Sequence, residues 1–149
     1  MNLIDYFSNA RNAQEVAPGT VFFAEGDAVG PMYVLLSGAA RIFLGHQVIE
    51  VASPGSIFGE MALIDDQRRS ASVTAITRCR VLAIRKAEFD LLVKEKPEFA
   101  RHVMKVVADR LRRMSALYTE LNEAHYDAAA LFRMRPRPRV PHAGDSIPT

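Results

Sequence analysis

The stretch richest in chemical possibility is Phe58-Gly59-Glu60-Met61-Ala62-Leu63-Ile64-Asp65-Asp66-Gln67-Arg68-Arg69-Ser70-Ala71-Ser72-Val73. Gly59, preceded by Pro54-Gly55, lets backbone approach a ligand closely. Met61 to Ile64 can form a single helical turn whose opening N–H groups suit a phosphate. Arg69 adds a planar fork of donors matched to two phosphate oxygens. Ser70 brings a hydroxyl, and Glu60 is a strong acceptor suited to a ribose hydroxyl. One carboxylate beside one arginine also keeps the empty site from carrying a large charge. A plainer reading stands next to this one: Glu60 and Arg69 pair across a surface loop.

Such a loop needs a rigid frame, and residues 16–85 read as one. Short apolar strings recur at Val21–Phe23, Met32–Leu36, Ala40–Leu44, Val48–Val51, Ser72–Ala75 and Arg80–Ile84. Turn formers separate them: Pro18-Gly19, Gly26-Asp27, Gly30-Pro31, Ser37-Gly38, Gly45 and Ser53-Pro54-Gly55. Many short strands bounded by glycine or proline predict a sandwich or jelly roll. Ahead of it, Leu3, Ile4 and Phe7 share a face at helical spacing, which predicts a short helix over residues 2–13.

From Lys86 the period changes. Lys86 to Glu95 reads as a short helix, and Pro97 marks the start of another. Residues 98–132 hold neither glycine nor proline, so a long helix is expected there. Met104, Val107, Leu111, Met114, Tyr118, Leu121, His125, Ala128 and Phe132 alternate in steps of three and four, a heptad seam with one polar member. At 1.5 Å per residue this seam runs about 43 Å, longer than a small β-domain can cover. A second copy of the same helix is the simplest cover for its far half, so a homodimer through residues 104–132 is expected. The fold class is thus mainly β plus α: a jelly-roll β-roll followed by a long C-terminal dimerisation helix. The domain expected over 1–134 comprises the N-terminal helix 1–13, the β-roll 14–85 and the C-terminal helices 86–134. Residues 135–149, rich in alternating arginine and proline, read as a disordered tail.

Composition narrows the function classes. The chain of 149 residues is 49% apolar and 24% charged, ordinary for a globular domain. Its formal charge of +2 is concentrated: residues 133–149 carry +3, so the body sums to −1 and offers no broad nucleic-acid face. No apolar run is long enough to span a membrane, and the start Met1-Asn2-Leu3-Ile4-Asp5 is unlike a signal peptide. Cys79 is the sole cysteine, so no internal disulfide is expected. These features point to a cytoplasmic protein. Of four histidines only His46 falls in the β-segment, too few for the metal cluster of a jelly-roll enzyme, so neither a metal nor catalysis is expected.

The string from Phe58 to Val73 resembles the phosphate-binding cassette of the cyclic-nucleotide-binding domains. These domains are shared by bacterial catabolite-activator regulators, cyclic-nucleotide-gated channels and cyclic-AMP-dependent kinase regulatory subunits. Phe23-Ala24-Glu25-Gly26-Asp27, Met32-Tyr33-Val34-Leu35-Leu36-Ser37-Gly38 and Pro54-Gly55 extend the likeness, which covers about residues 14–125. The resemblance implies that Arg69 pairs with a cyclic phosphate, and that Ser70 and the backbone of Ala71 bond the phosphate or base edge. It implies that Glu60, helped by Gly59, accepts from the 2′-hydroxyl; Phe58, Met61 and Ala62 complete the ligand-binding set. Glu25-Gly26 and Gly38 are implied as structural turns. Ser115 falls where the bacterial regulators reach the adenine from a helix serine, whereas Met114 replaces a threonine common there. Ser70, in place of threonine, favours cyclic AMP over cyclic GMP.

The resemblance further implies a sensor that rearranges its helices on binding and signals to an unidentified effector protein. After the long helix there is no room in this sequence for the regulators' helix-turn-helix, so sequence-specific DNA binding is not expected. A different class stays open: a dimerisation or scaffold module of the same fold that binds cyclic GMP, a cyclic dinucleotide or nothing.

Overall fold

The computed structural model describes residues 1–123. Eight strands form two four-stranded antiparallel sheets. The first has the order β1-β8-β3-β6, made of Gln14–Val16, Cys79–Ile84, Met32–Ser37 and Ile57–Phe58. The second has the order β2-β7-β4-β5, made of Val21–Phe23, Ser72–Ala75, Ala40–Leu44 and Gln47–Ala52. Four helices accompany them: α1 (Leu3–Tyr6), α2 (Glu60–Asp65), α3 (Lys86–Glu95) and α4 (Pro97–Glu123). This is the jelly-roll β-roll followed by a long helix.

The strand β3 shows why its sequence is a continuous apolar string and not an alternating one. Side chains alternate faces along a strand. Leu35 and Tyr33 point between the sheets, where they meet Phe23, Ile42, Phe58, Val73 and Val81. Met32, Val34 and Leu36 point the other way, into a second cluster with Leu3, Leu63, Phe89, Phe99 and Val103 from the four helices. Both faces are covered, so both must be apolar. The outer cluster pins the start of α4 to the sheet, with Phe89 and Phe99 meeting edge to face at 5.9 Å between ring centroids.

The six expected strings all become strands; β1 and β6, three and two residues long, carry too little pattern to stand out. Helix α3 spans Lys86–Glu95 as read from the sequence. The N-terminal helix is shorter than the expected 2–13. Asn2 caps it by accepting from the amides of Ile4 and Asp5. At its other end the Ser8 hydroxyl donates to the Asp5 carbonyl, a local bond that competes with helix propagation. The continuation of the long helix over 124–132, with His125, Ala128 and Phe132, and the tail 135–149 lie outside the described residues.

By its contacts the chain divides into two units, Met1–Ser115 and the remainder from Ala116. Both sheets, α1 to α3 and the first part of α4 belong to the first. In the second, the described end of α4 exposes Tyr118 and Leu121.

Gly38, expected as a structural turn, is held at φ +92° between β3 and β4. A Cβ there would lie 2.3 Å from the Arg78 carbonyl oxygen. Both the left-handed backbone and the backbone contact exclude a side chain. Gly38→Ala is expected to cost about 1–3 kcal/mol, read as a lower urea midpoint with unchanged slope. An unchanged midpoint would show that this turn is free to relax.

Candidate functional site

The cassette follows directly on β6. Phe58 is buried at the strand's end, and Gly59 turns the chain with φ +84° to start α2. No side chain caps this helix. Its first residue, Glu60, is 2% exposed although it is a carboxylate. Asp66 closes the helix in the left-handed region at φ +56°, and the loop then returns to β7 through Arg69, Ser70 and Ala71.

Arg69 is 5% exposed, unusual for an arginine. Main-chain bonds hold its position from both sides: its amide donates to the Asp27 carbonyl and its carbonyl accepts from the Gly26 amide, each at 2.9 Å. Its guanidinium lies 3.9 Å from the centre of the Phe23 ring, a cation–π contact. Nη1 donates to the Gly59 carbonyl at 3.0 Å and Nη2 to the Pro31 carbonyl at 2.6 Å. Two glycines make the space for it. A Cβ at Gly59 would sit 2.7 Å from Nη1, and one at Gly30 would sit 2.8 Å from Nη2.

No carboxylate among the described residues is within ion-pairing distance of Arg69, and its buried Nε has no hydrogen-bond partner among them. Burial pulls its pKa down, opposed by Tyr33, Asp27 and Glu60 nearby. A guanidinium does not lose its proton in a protein. The result is a fixed, buried positive charge with donor capacity left over.

Glu60 does not pair with Arg69, so the plain loop-bridge reading is not what the chain adopts. Its Oε1 accepts from Arg110 Nη1 on α4 at 2.8 Å. Its other oxygen, Oε2, is buried without a hydrogen-bond partner among the described residues. Arg110 is gripped on its far side by Glu50 of β5, whose Oε2 accepts from Nε at 3.0 Å and from Nη2 at 2.9 Å. Nη2 also donates to the Ile57 carbonyl, and Arg113 donates to Glu50 Oε1. Burial raises the Glu50 pKa, but the two arginines outweigh it and hold the carboxyl below its ordinary value.

Arg69, Glu60 and Arg110 line one cavity of about 340 Å³, within the range of small-molecule sites. Of the residues singled out in the sequence, Phe58, Gly59, Glu60, Met61, Ala62, Arg69, Ser70 and Ala71 all line it. Ser115 is exposed and outside this lining. Met114, its neighbour, lines the cavity, together with Val107 and Leu111 of α4 and Ile42 and Ile49 of the second sheet. The wall is thus mostly apolar, with Arg69, Glu60 and Arg110 as its charged groups.

Arg110 and Glu50 were not expected at the site. A signal existed for Arg110: it lies three residues after Val107 and four before Met114, on the same helix side. Glu50 carried none, since its neighbours Ile49 and Val51 mark only a strand.

Residues 13–96 match the cyclic nucleotide-binding domain family. This chain belongs to that family. It is 32% identical over 99 residues to the cyclic AMP receptor protein of Thermus thermophilus, covering 63% of this chain and 46% of that protein. It is 38% identical over 86 residues to a cAMP-dependent protein kinase regulatory subunit of Hypocrea atroviridis, covering 58% and 19%. The chain spans less than half the length of these curated relatives. Among solved structures, the Thermus thermophilus catabolite activator protein superposes with a TM-score of 0.64 at 29% identity, over 74% of this chain and 55% of that one.

The depressed Glu50 carboxyl makes the clasp on α4 sensitive to acid. Its stabilising contribution is complete above the ordinary carboxylate range and is lost as pH falls through the depressed folded value. Unfolding free energies of the parent and of Glu50→Gln are therefore expected to differ at pH 7 and to converge below about pH 4. Equal stability of the two at every pH would show that the clasp contributes nothing.

Proposed function

We propose that this chain is a cyclic nucleotide sensor, with cyclic AMP its favoured ligand, that signals through the arrangement of its helices. One observation carries the reading: a buried arginine and a buried glutamate, each with one side-chain polar atom unpaired among the described residues, both belong to the lining of the same apolar cavity. A buried polar group without a partner costs stability. A ligand that brings an anion for Arg69 and a hydroxyl for Glu60 Oε2 answers both. A cyclic nucleotide has these two groups on one ribose ring, and its flat base suits the apolar wall of Ile42, Ile49, Val73 and Leu111. Phe58, Gly59, Met61, Ala62 and the backbone of Ala71 complete the proposed contacts, and Ser115 is proposed as a base contact once α4 closes.

Ser70 beside Arg69 supports cyclic AMP over cyclic GMP, and the relatives named above are described as cyclic AMP proteins. The groups facing the cavity bind and orient; the proposal includes no reaction and no metal. The domain is proposed to span residues 1–134 as a cytoplasmic module read by an effector protein, with 135–149 a tail.

Homodimerisation through residues 104–132 is part of the same reading. Met104, Leu111, Met114, Tyr118 and Leu121 are between 40% and 69% exposed along the seam. Five large apolar side chains on one helical stripe favour a partner of the same pattern, and a second copy supplies it.

Calorimetry on protein freed of ligand by unfolding and refolding is expected to show cyclic AMP binding at micromolar affinity or better, with weaker cyclic GMP binding. Arg69→Ala is expected to weaken cyclic AMP by about 3–5 kcal/mol, a hundredfold or more. A mutant that binds as well as the parent would reject the site, and heat from neither nucleotide would reject the sensor reading.

For the dimer, Leu121→Asp avoids the cavity-lining positions. It is expected to convert dimer to monomer in sedimentation equilibrium. An unchanged mass would exclude pairing through this seam.

A further inference from the structure

The ion pairs around Arg110 contain a count that bears on which ligands the cavity accepts. Glu60 and Glu50 are two carboxylates, and Arg110 and Arg113 are two guanidiniums bonded to them. This cluster sums to zero. Arg69 stands outside it, with no ion pair among the described residues, so the cavity presents one uncompensated positive charge. The charges elsewhere around the loop, such as Asp27, Arg68 and Asp65, are exposed and screened by solvent and salt.

Glu50 holds this balance without touching the cavity. It is absent from the cavity lining, whereas Arg110 lines both this cavity and a second one of about 450 Å³. Glu50 and Arg113 line that second cavity. Arg110 is therefore the partition, and Glu50 is the group behind it. The Glu50 side chain is only 12% exposed, so water does little of the neutralising that it performs.

We propose that Glu50 is a specificity-determining positioning residue: acting through Arg110, it limits the site to ligands with a single negative charge. The inference rests on the cyclic nucleotide reading above. A cyclic phosphodiester has one negative charge and matches Arg69. A ring-opened nucleoside monophosphate has nearly two at neutral pH, because its second ionisation falls near 6. With the Arg110 wall neutral, that second charge finds no partner and must leave water unpaid by any contact. Glu50 also directs Arg110 onto Glu60 Oε1, which leaves Oε2 as the single free acceptor for a hydroxyl.

The test is the affinity ratio of 3′,5′-cyclic AMP to 5′-AMP at pH 8, measured by calorimetry on ligand-free protein. The parent is expected to prefer the cyclic form. Glu50→Gln leaves one extra positive charge in the wall and is expected to narrow the ratio about tenfold, the effect of a unit charge several ångströms away through a partly screened medium. Arg113→Gln leaves the wall one charge negative and is expected to widen the ratio. The double variant Glu50→Gln/Arg113→Gln is neutral again and is expected to return the ratio toward the parent's.

A merely structural role for Glu50 would weaken both ligands together, and such an unchanged ratio overturns the proposal. So does a ratio that moves the same way in both single variants. If Glu50→Gln does not fold, the half-exposed Arg113 still decides the matter: a ratio unmoved by Arg113→Gln overturns the charge-matching idea. Failure of the parent to bind cyclic AMP at all would overturn the functional reading itself, an outcome distinct from these.

Discussion

The structure of the site depends on how a buried guanidinium is held without a carboxylate. Arg69 is fixed by carbonyls and an aromatic face, with two glycines clearing its space. Carbonyl dipoles orient the group but leave its charge in place. A carboxylate in the same position would have produced a more stable empty cavity and a poorer anion site. The strained requirements nearby follow from this choice. Gly59 must be a glycine both for its positive φ and for its closeness to Nη1, and the β2–β3 loop must present the Pro31 carbonyl at the right depth.

The second constraint is the reach of α4 back onto the sheets. Its first turns are anchored apolarly through Phe99 and Val103. About two turns after Val103, Arg110 makes the connection electrostatic, spanning Glu60 of the cassette and Glu50 of the second sheet. Cassette, strand and helix therefore meet at one side chain. Under the proposed reading, a ligand hydroxyl accepted by Glu60 would act on Arg110 and through it on the helix. Ion pairs this far buried contribute less to stability than their number implies, because desolvation offsets much of the attraction. Their value here is positional.

Which parts were legible in the sequence follows from how local each signal is. The cassette was readable because Gly59, Glu60, Arg69 and Ser70 lie in one continuous string whose geometry is set by a short helix and a return loop. The strands were readable because glycine and proline punctuate them. Glu50 and Arg110 are sixty residues apart in sequence, and nothing in a strand or an amphipathic helix says that two such charges will meet. That Glu60 would also accept from Arg110 was not legible for the same reason. The loop that carries Arg69 aims it at carbonyls, and the cation that bonds Glu60 arrives from α4. The length of α1 was missed because three apolar residues at helical spacing carry no signal for where a helix stops; it ends at Tyr6, with the Ser8 hydroxyl bonded back to the Asp5 carbonyl.

The helix α4 also joins two surfaces that the sequence had treated as separate. Val107, Leu111 and Met114 were read as members of a heptad seam, and the structure places all three in the cavity lining. Leu111 and Met114 are nevertheless 64% and 40% exposed, so each has one side toward the cavity and another toward solvent. Under the proposed reading, a ligand base packed against them would remove apolar area from the seam, and a second helix on the seam would limit how far they can turn toward a base. Two binding events that share the same side chains cannot be energetically independent. Such coupling would need no long-range path, because the shared residues lie within two turns of one helix, beside the arginine that ties that helix to the cassette.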